Sequence, residues 1–167
     1  MVLTPEISSM IVEIISTLSE RRETLVTAES ITAGGLSSAI TSIEGSSQVF
    51  LGAIVAYQNS VKSEILGVDA ALIDTHTVYS QVVAIEMARA VRTRFGSTWA
   101  IATTGVAGPG PSDGVASGTI WLAIDGPITQ NLELSLSGGR ESVRNATVAT
   151  AIGSFARILR TRTSEGG

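Results

Sequence analysis

The 167-residue chain is 44% hydrophobic and only 16% charged, with a net charge of −4, a pI near 5.0, no cysteine and one histidine. Its length suits one domain with a single core. The acidic balance speaks against nonspecific nucleic-acid binding, which draws its affinity from clustered Lys and Arg meeting phosphates. Thiol nucleophiles and multi-histidine metal sites are excluded by composition.

In chain order, Ile7, Met10, Ile11, Ile14, Ile15 and Leu18 recur at helical spacing, with Thr4 as N-cap and Pro5 in the first turn. Thr24–Ala28 is β-like and leads through Glu29 and Ser30 to a Gly34–Gly35 pair that opens a helix to about Ile43. Phe50–Tyr57 predicts a buried strand, and Asn59 a cap for a short helix ending at Gly67. Ser80 caps a predicted helix over Gln81–Phe95, which Gly96 stops. Thr98–Thr103 is the next strand, and residues 104–118, TGVAGPGPSDGVASG, are a loop by turn chemistry. Strands follow at Thr119–Asp125 and around Leu132, Leu134 and Leu136, and a last helix spans about Glu141–Arg160. The order predicts one α/β domain, a three-layer α/β/α sandwich with a mixed sheet over residues 1–160, and a disordered polar tail over 161–167.

No stretch is apolar enough for a membrane span, and the start lacks the basic region and continuous apolar core of a signal peptide, so the expected location is the cytoplasm, without membrane contact. Low surface charge predicts a homo-oligomer, a two-fold dimer in the simplest case.

One lysine, Lys62, stands against ten arginines. Arginine stays protonated, whereas a lysine can lose its proton when buried or beside a positive charge, so any amine base in this chain is Lys62. A serine at a strand-to-helix junction has main-chain N–H groups nearby that can hold an oxyanion, which makes Ser30–Lys62 a candidate dyad. Ser30 also reads as an ordinary helix cap, and Ser60 and Ser63 lie nearer to Lys62 in sequence. The glycine-rich segment after Thr104 has neither GxxxxGK[ST] nor GxGxxG, so it is no P-loop or dinucleotide fingerprint. Gly105 and Gly108 can bring main-chain N–H groups to a phosphate or carboxamide oxygen, or form a plain turn. Arg140 and Arg144, one turn apart, can clamp an anion or form a solvated face. His76, in IDTHTVYS, reads as a surface residue.

Four ordered motifs, TAESITAGG, GSSQVFLGAIVAYQNSVKSEILGV, TTGVAGPG and SGGRESVRNA, cover roughly residues 6–160 and resemble the C-terminal domain of the CinA (competence/damage-inducible) proteins, also found as stand-alone nicotinamide mononucleotide amidohydrolases. The resemblance implies hydrolysis of the carboxamide of nicotinamide mononucleotide to nicotinate mononucleotide and ammonia, with no cofactor and no metal. It implies Ser30 as nucleophile, Lys62 as base, and Tyr57, Thr104 and Arg144 as further active-site residues. Arg144 or burial would keep Lys62 neutral, and Thr32, Ala33, Gly34, Gly105, Gly108 and Arg140 would bind substrate, with Arg140 on the phosphate. Ile31 and Ala33 replace the cysteine and first glycine of the commoner AESCTGG form, and Gly139 stands where an aspartate often precedes the arginine. Larger members add an N-terminal molybdopterin-binding-like domain, to which nothing here corresponds. The altered first motif keeps open a nucleotide-binding module without catalysis, and the low charge a purely structural subunit.

Overall fold

The structure, a computed structural model, describes residues 3–164, with the side chains of 163 and 164 excepted. Helix α1 (Pro5–Arg21) begins where expected: the Thr4 hydroxyl accepts from the Ile7 amide at 3.3 Å, and Ile11, Ile14, Ile15 and Leu18 are buried. Strand β1 (Leu25–Glu29) follows, then α2 (Gly35–Thr41), β2 (Phe50–Val55), a π-helical turn (Val61–Leu66), α3 (Ala70–His76), α4 (Gln81–Phe95), β3 (Trp99–Gly105), β4 (Thr119–Asp125), β5 (Gln130–Ser135) and α5 (Arg140–Ser164).

The sheet runs β2-β1-β3-β4-β5. β1 pairs in parallel with β2 and β3, while β3–β4 and β4–β5 are antiparallel. The connections explain the mixture. Helices carry the chain back between β1, β2 and β3, as parallel pairing requires, whereas a loop and then a turn join the last three strands. β1 is buried along its whole length, which places it in the middle of the molecule.

Two cores sandwich the sheet. On one face Ile11, Leu18, Leu36 and Phe155 from α1, α2 and α5 pack on Trp99 and Ile101; Trp99 meets Phe155 edge-on, ring centroids 5.4 Å apart. On the other, Val83, Met87 and Val91 of α4 pack on Val26, Ala28, Ala100 and Ala102. The predicted α/β/α sandwich is therefore observed. Among the described residues no helix is long and apolar enough to cross a membrane.

Four elements differ from expectation. Asp69, whose carboxylate accepts from the Ala71 amide at 2.9 Å, caps α3, a helix missing from the sequence reading. Thr161–Ser164 continue α5 rather than beginning a disordered tail, and residues 165–167 lie outside the described residues. β2 stops at Val55, so Tyr57 lies beyond it, and β2, as the edge strand of the sheet, leaves Leu51 and Val55 exposed and is not the buried strand expected. Thr104 lies inside β3, paired with Trp121, and not in the loop.

Pairing sets the site. Glu29 is opposite both Val55 and Thr103, so the carboxyl ends of the three parallel strands open at one level. That is where sheets of this kind receive ligands.

Candidate active site

Ser30 directly follows β1, and its amide donates to the Thr103 carbonyl at 2.9 Å, which holds it against β3. On the other side the Ala56 amide donates to the Glu29 carbonyl at 2.8 Å, so residues 56 and 57 leave the sheet beside Ser30. The chain then forms the π-helical turn, whose wider winding brings Lys62 back over the strand ends. Lys62 is 1% exposed, and its Nζ lies 3.0 Å from Ser30 Oγ, 2.8 Å from the Ala56 carbonyl and 3.2 Å from the Tyr57 carbonyl.

Among the described residues no carboxylate forms an ion pair with this amine. Burial alone drives its pKa from 10.5 down to about 8. A neutral amine has two N–H donors and one lone pair. With the two carbonyls taking the donors, the lone pair is left for the Ser30 hydroxyl.

Arg144 has no part in this shift. Its guanidinium donates to the Ile31 carbonyl at 3.1 Å and the Thr32 carbonyl at 2.9 Å, and it clamps the first motif from outside. Thr104 is likewise not at the reacting atoms: its hydroxyl is buried and donates to the Val78 carbonyl at 2.6 Å. Tyr57 meets Lys62 through its main-chain carbonyl, while its phenol points elsewhere, to Arg140.

The sequence reading gave Glu29 no role, and the structure makes it the centre of the first motif. Fully buried, its carboxylate accepts from the Thr32 hydroxyl at 2.6 Å, the Gly34 and Leu36 amides at 3.0 Å each, and the Ser37 amide at 2.8 Å. The Ser37 hydroxyl is a further donor. These amides are the orphan donors at the start of α2, whose N-cap, Gly34, offers no side-chain acceptor. That absence was the signal available in the sequence: a short helix capped by glycine needs an acceptor from elsewhere, and Glu29 is the nearest carboxylate.

Thr32, Ala33 and Gly34 accordingly do not line the cavity at Ser30. The Gly34 amide is taken by Glu29 and the Gly35 amide by the Thr32 carbonyl, so neither is available to an oxyanion. The Thr32 hydroxyl, 1% exposed, also meets Thr103 Oγ1 at 2.8 Å. Ala33 is strained in the left-handed region at φ 49.

Ser30 and Lys62 open into a cavity of about 590 Å³, walled by Tyr57, Tyr79, Gly105, Gly108 and Arg140 among others. Arg140, at the start of α5, reaches across it, donating to the Gly108 carbonyl at 3.0 Å and the Tyr57 hydroxyl at 2.6 Å. The glycine-rich segment stands on a hydrogen-bonded stem: Val106 N to Thr119 O at 3.0 Å and Gly118 N to Val106 O at 2.7 Å. Glycine is required at both feet, because a Cβ on Gly105 would lie 2.5 Å from the Thr119 carbonyl and one on Gly118 only 1.8 Å from the Leu136 carbonyl. Among the described residues no group of three His, Cys, Asp or Glu side chains is placed to hold a metal ion. His76 is exposed at the end of α3.

A profile of the CinA C-terminal domain matches residues 7–159, nearly the whole chain. The chain belongs to the CinA C-terminal domain family. It is 40% identical over 146 residues to a CinA-like protein of Acaryochloris marina, covering 85% of this chain and 35% of that protein. A CinA-like protein of Frankia casuarinae is 39% identical over 147 residues, covering 87% and 34%. The chain thus spans about a third of the length of these CinA-like relatives. Among solved structures, the competence/damage inducible protein CihA from Agrobacterium tumefaciens superposes with TM-score 0.88 at 33% identity, covering 96% of this chain and 99% of that one. The competence or damage-inducible protein from Enterobacter asburiae does so with TM-score 0.88 at 28% identity, covering 92% and 98%.

Proposed function

We propose that this CinA domain is a nicotinamide-nucleotide amidase, hydrolysing the carboxamide of nicotinamide mononucleotide to nicotinate mononucleotide and ammonia by a Ser–Lys mechanism, in pyridine nucleotide recycling. The observation that carries the reading is the contact between the buried Lys62 amine and Ser30 Oγ at 3.0 Å, in a chain with no other lysine. Three oxygens surround the amine, enough for the three N–H groups of the ammonium; when the amine is neutral, two N–H groups stay on the carbonyls and the lone pair falls to the Ser30 hydroxyl, which suits a base.

The steps follow from that arrangement. Ser30 Oγ attacks the carboxamide carbon while its proton passes to Lys62 Nζ. The main-chain N–H of Ile31, which follows the nucleophile in the chain and lines the same cavity, would serve as a donor to the oxyanion. The Lys62 ammonium then protonates the departing nitrogen, ammonia leaves, and Ser30 carries the nicotinyl ester. Water attacks the ester with Lys62 again taking a proton, which returns Ser30 and releases the carboxylate.

Substrate fit supports the same reading. A cavity of about 590 Å³ accommodates a mononucleotide. Among the described residues Arg140 is the one guanidinium on its wall and suits the phosphate, which would exchange for the Tyr57 and Gly108 oxygens. The test is ammonia release from nicotinamide mononucleotide by the purified protein, with Ser30→Ala run in parallel. Release by the wild type alone is expected; release by both, or by neither, overturns the assignment.

A further inference from the structure

The sequence contains two tyrosines, and both line the Ser30–Lys62 cavity. They are held differently. Tyr57 is 52% exposed and its hydroxyl is taken by Arg140. Tyr79 is half-buried and fixed at both ends: its hydroxyl meets Ser112 Oγ at 3.0 Å, and the carbonyl just before it, that of Val78, accepts the buried Thr104 hydroxyl at 2.6 Å. Thr104 therefore has a place in the site without touching it, since it fixes the backbone from which Tyr79 projects.

The charges on the wall matter next. Among the described residues lining the cavity there are Lys62 and Arg140 but no carboxylate. A ligand with a cationic ring finds no anionic partner there, and a carboxylate beside Lys62 would raise the amine's pKa and leave it protonated. An aromatic face holds a cation through its quadrupole and adds no net charge.

We propose that Tyr79 is the surface on which the pyridinium ring of the substrate lies, a specificity-determining residue that favours a cationic ring over a neutral one, with Thr104 as its positioning residue. This rests on the amidase reading for the identity of the ligand. The phosphate, at Arg140, and the ring, at Tyr79, are then recognised by separate groups, and the carboxamide alone is left to Ser30.

The experiment compares nicotinamide mononucleotide with its reduced form, whose dihydropyridine ring is neutral, in wild type, Tyr79→Leu, Tyr79→Phe and Thr104→Val. For the cationic substrate Tyr79→Leu is expected to raise KM about tenfold, within the range of a desolvated cation–π contact, and to change kcat less than about twofold. For the neutral ring the KM rise should stay under about twofold. Tyr79→Phe keeps the ring face and loses the Ser112 contact, so about a threefold rise is expected, and Thr104→Val should follow the same charge-dependent direction. An equal penalty for both rings, or a fall in kcat with KM unchanged, overturns the proposal. Calorimetric titration with the same two ligands separates it from the amidase reading. Charge-selective binding that Tyr79→Leu abolishes, without ammonia release by the wild type, overturns the amidase alone; turnover without charge selectivity overturns the Tyr79 assignment alone; binding of neither ligand overturns both.

Discussion

Two buried ionisable groups flank Ser30, and they are held in opposite ways. Glu29, the last residue of β1, is saturated: three hydroxyls, from Thr27, Thr32 and Ser37, and three amides close on its carboxylate. Lys62, after β2, has two carbonyls and one hydroxyl, and no counter-charge. The first arrangement leaves no valence for anything else, and so fixes the fold of the motif. The second, once the amine loses its proton, leaves a lone pair directed at an exchangeable proton. Burial alone does not make a group reactive; an unfilled valence in a buried group does.

The sharpest way to break this comparison is to delete each group. Lys62→Met should lower ammonia release by about 10³-fold, the scale of a lost general base, while changing stability by no more than about 1 kcal/mol, because a chain of similar volume replaces an amine whose burial was itself unfavourable. Glu29→Ala should do the reverse on stability, costing about 4 kcal/mol as the amides at the head of α2 lose their acceptor. Denaturant midpoints beside single-turnover ammonia assays check both, and a Lys62→Met protein as unstable as Glu29→Ala would erase the distinction.

A smaller effect lies in pH. Since burial lowers the Lys62 pKa to about 8, kcat/KM should rise as pH climbs towards 8 and level off above it, because the neutral amine is the base. The sign on stability follows from the same shift. The folded pKa lies below the ordinary 10.5, so the unfolded chain holds the extra proton between about 8 and 10.5. Stability contributed by this group therefore grows as pH rises through that window and is lost as pH falls through 8. Urea midpoints from pH 7 to 11 should show the slope in the wild type and lose that component in Lys62→Met.

The smallest expected change concerns the strained turn beside Glu29. Ala33 at φ 49 bears a left-handed penalty that glycine would not, and after the greater unfolded-state entropy of glycine is subtracted, Ala33→Gly should gain about 0.5 kcal/mol in thermal or urea unfolding. A loss of stability would mean that the alanine methyl supports the turn.

Much of this was legible in the sequence. Apolar spacing and caps gave α1, α4 and α5, and the absence of crossover helices after Thr104 gave the antiparallel half of the sheet. The lysine count singled out Lys62, and the motif order paired it with Ser30. Thr104 and Arg144 were assigned to the site by resemblance, yet both act on main-chain carbonyls behind it, because spacing along a motif does not say which face of the backbone a side chain takes. Glu29 was passed over because a carboxylate at a strand end gives no periodic signal; its meaning comes from donors contributed up to eight residues later. Helix α3 was missed although Asp69–Ala70–Ala71–Leu72 carries an N-cap and good helix formers, because IDTHTVYS reads as polar loop.

The stem beneath the glycine-rich segment has a consequence for how the domain can change. With Gly105 and Gly118 pressed against neighbouring carbonyls and Val106 bonded on both sides, the two feet of the segment are registered by the sheet, and the stretch from Ala107 to Ser117 is hung from them as a detachable cassette. Exchange of its length and side chains is expected to leave Ser30 and Lys62 in place, since their anchors are the Thr103 carbonyl inside β3 and the carbonyls of the turn after β2, none of them in the segment. A library confined to those eleven positions could then retarget the pocket to other amides while the hydrolytic pair stays where it is.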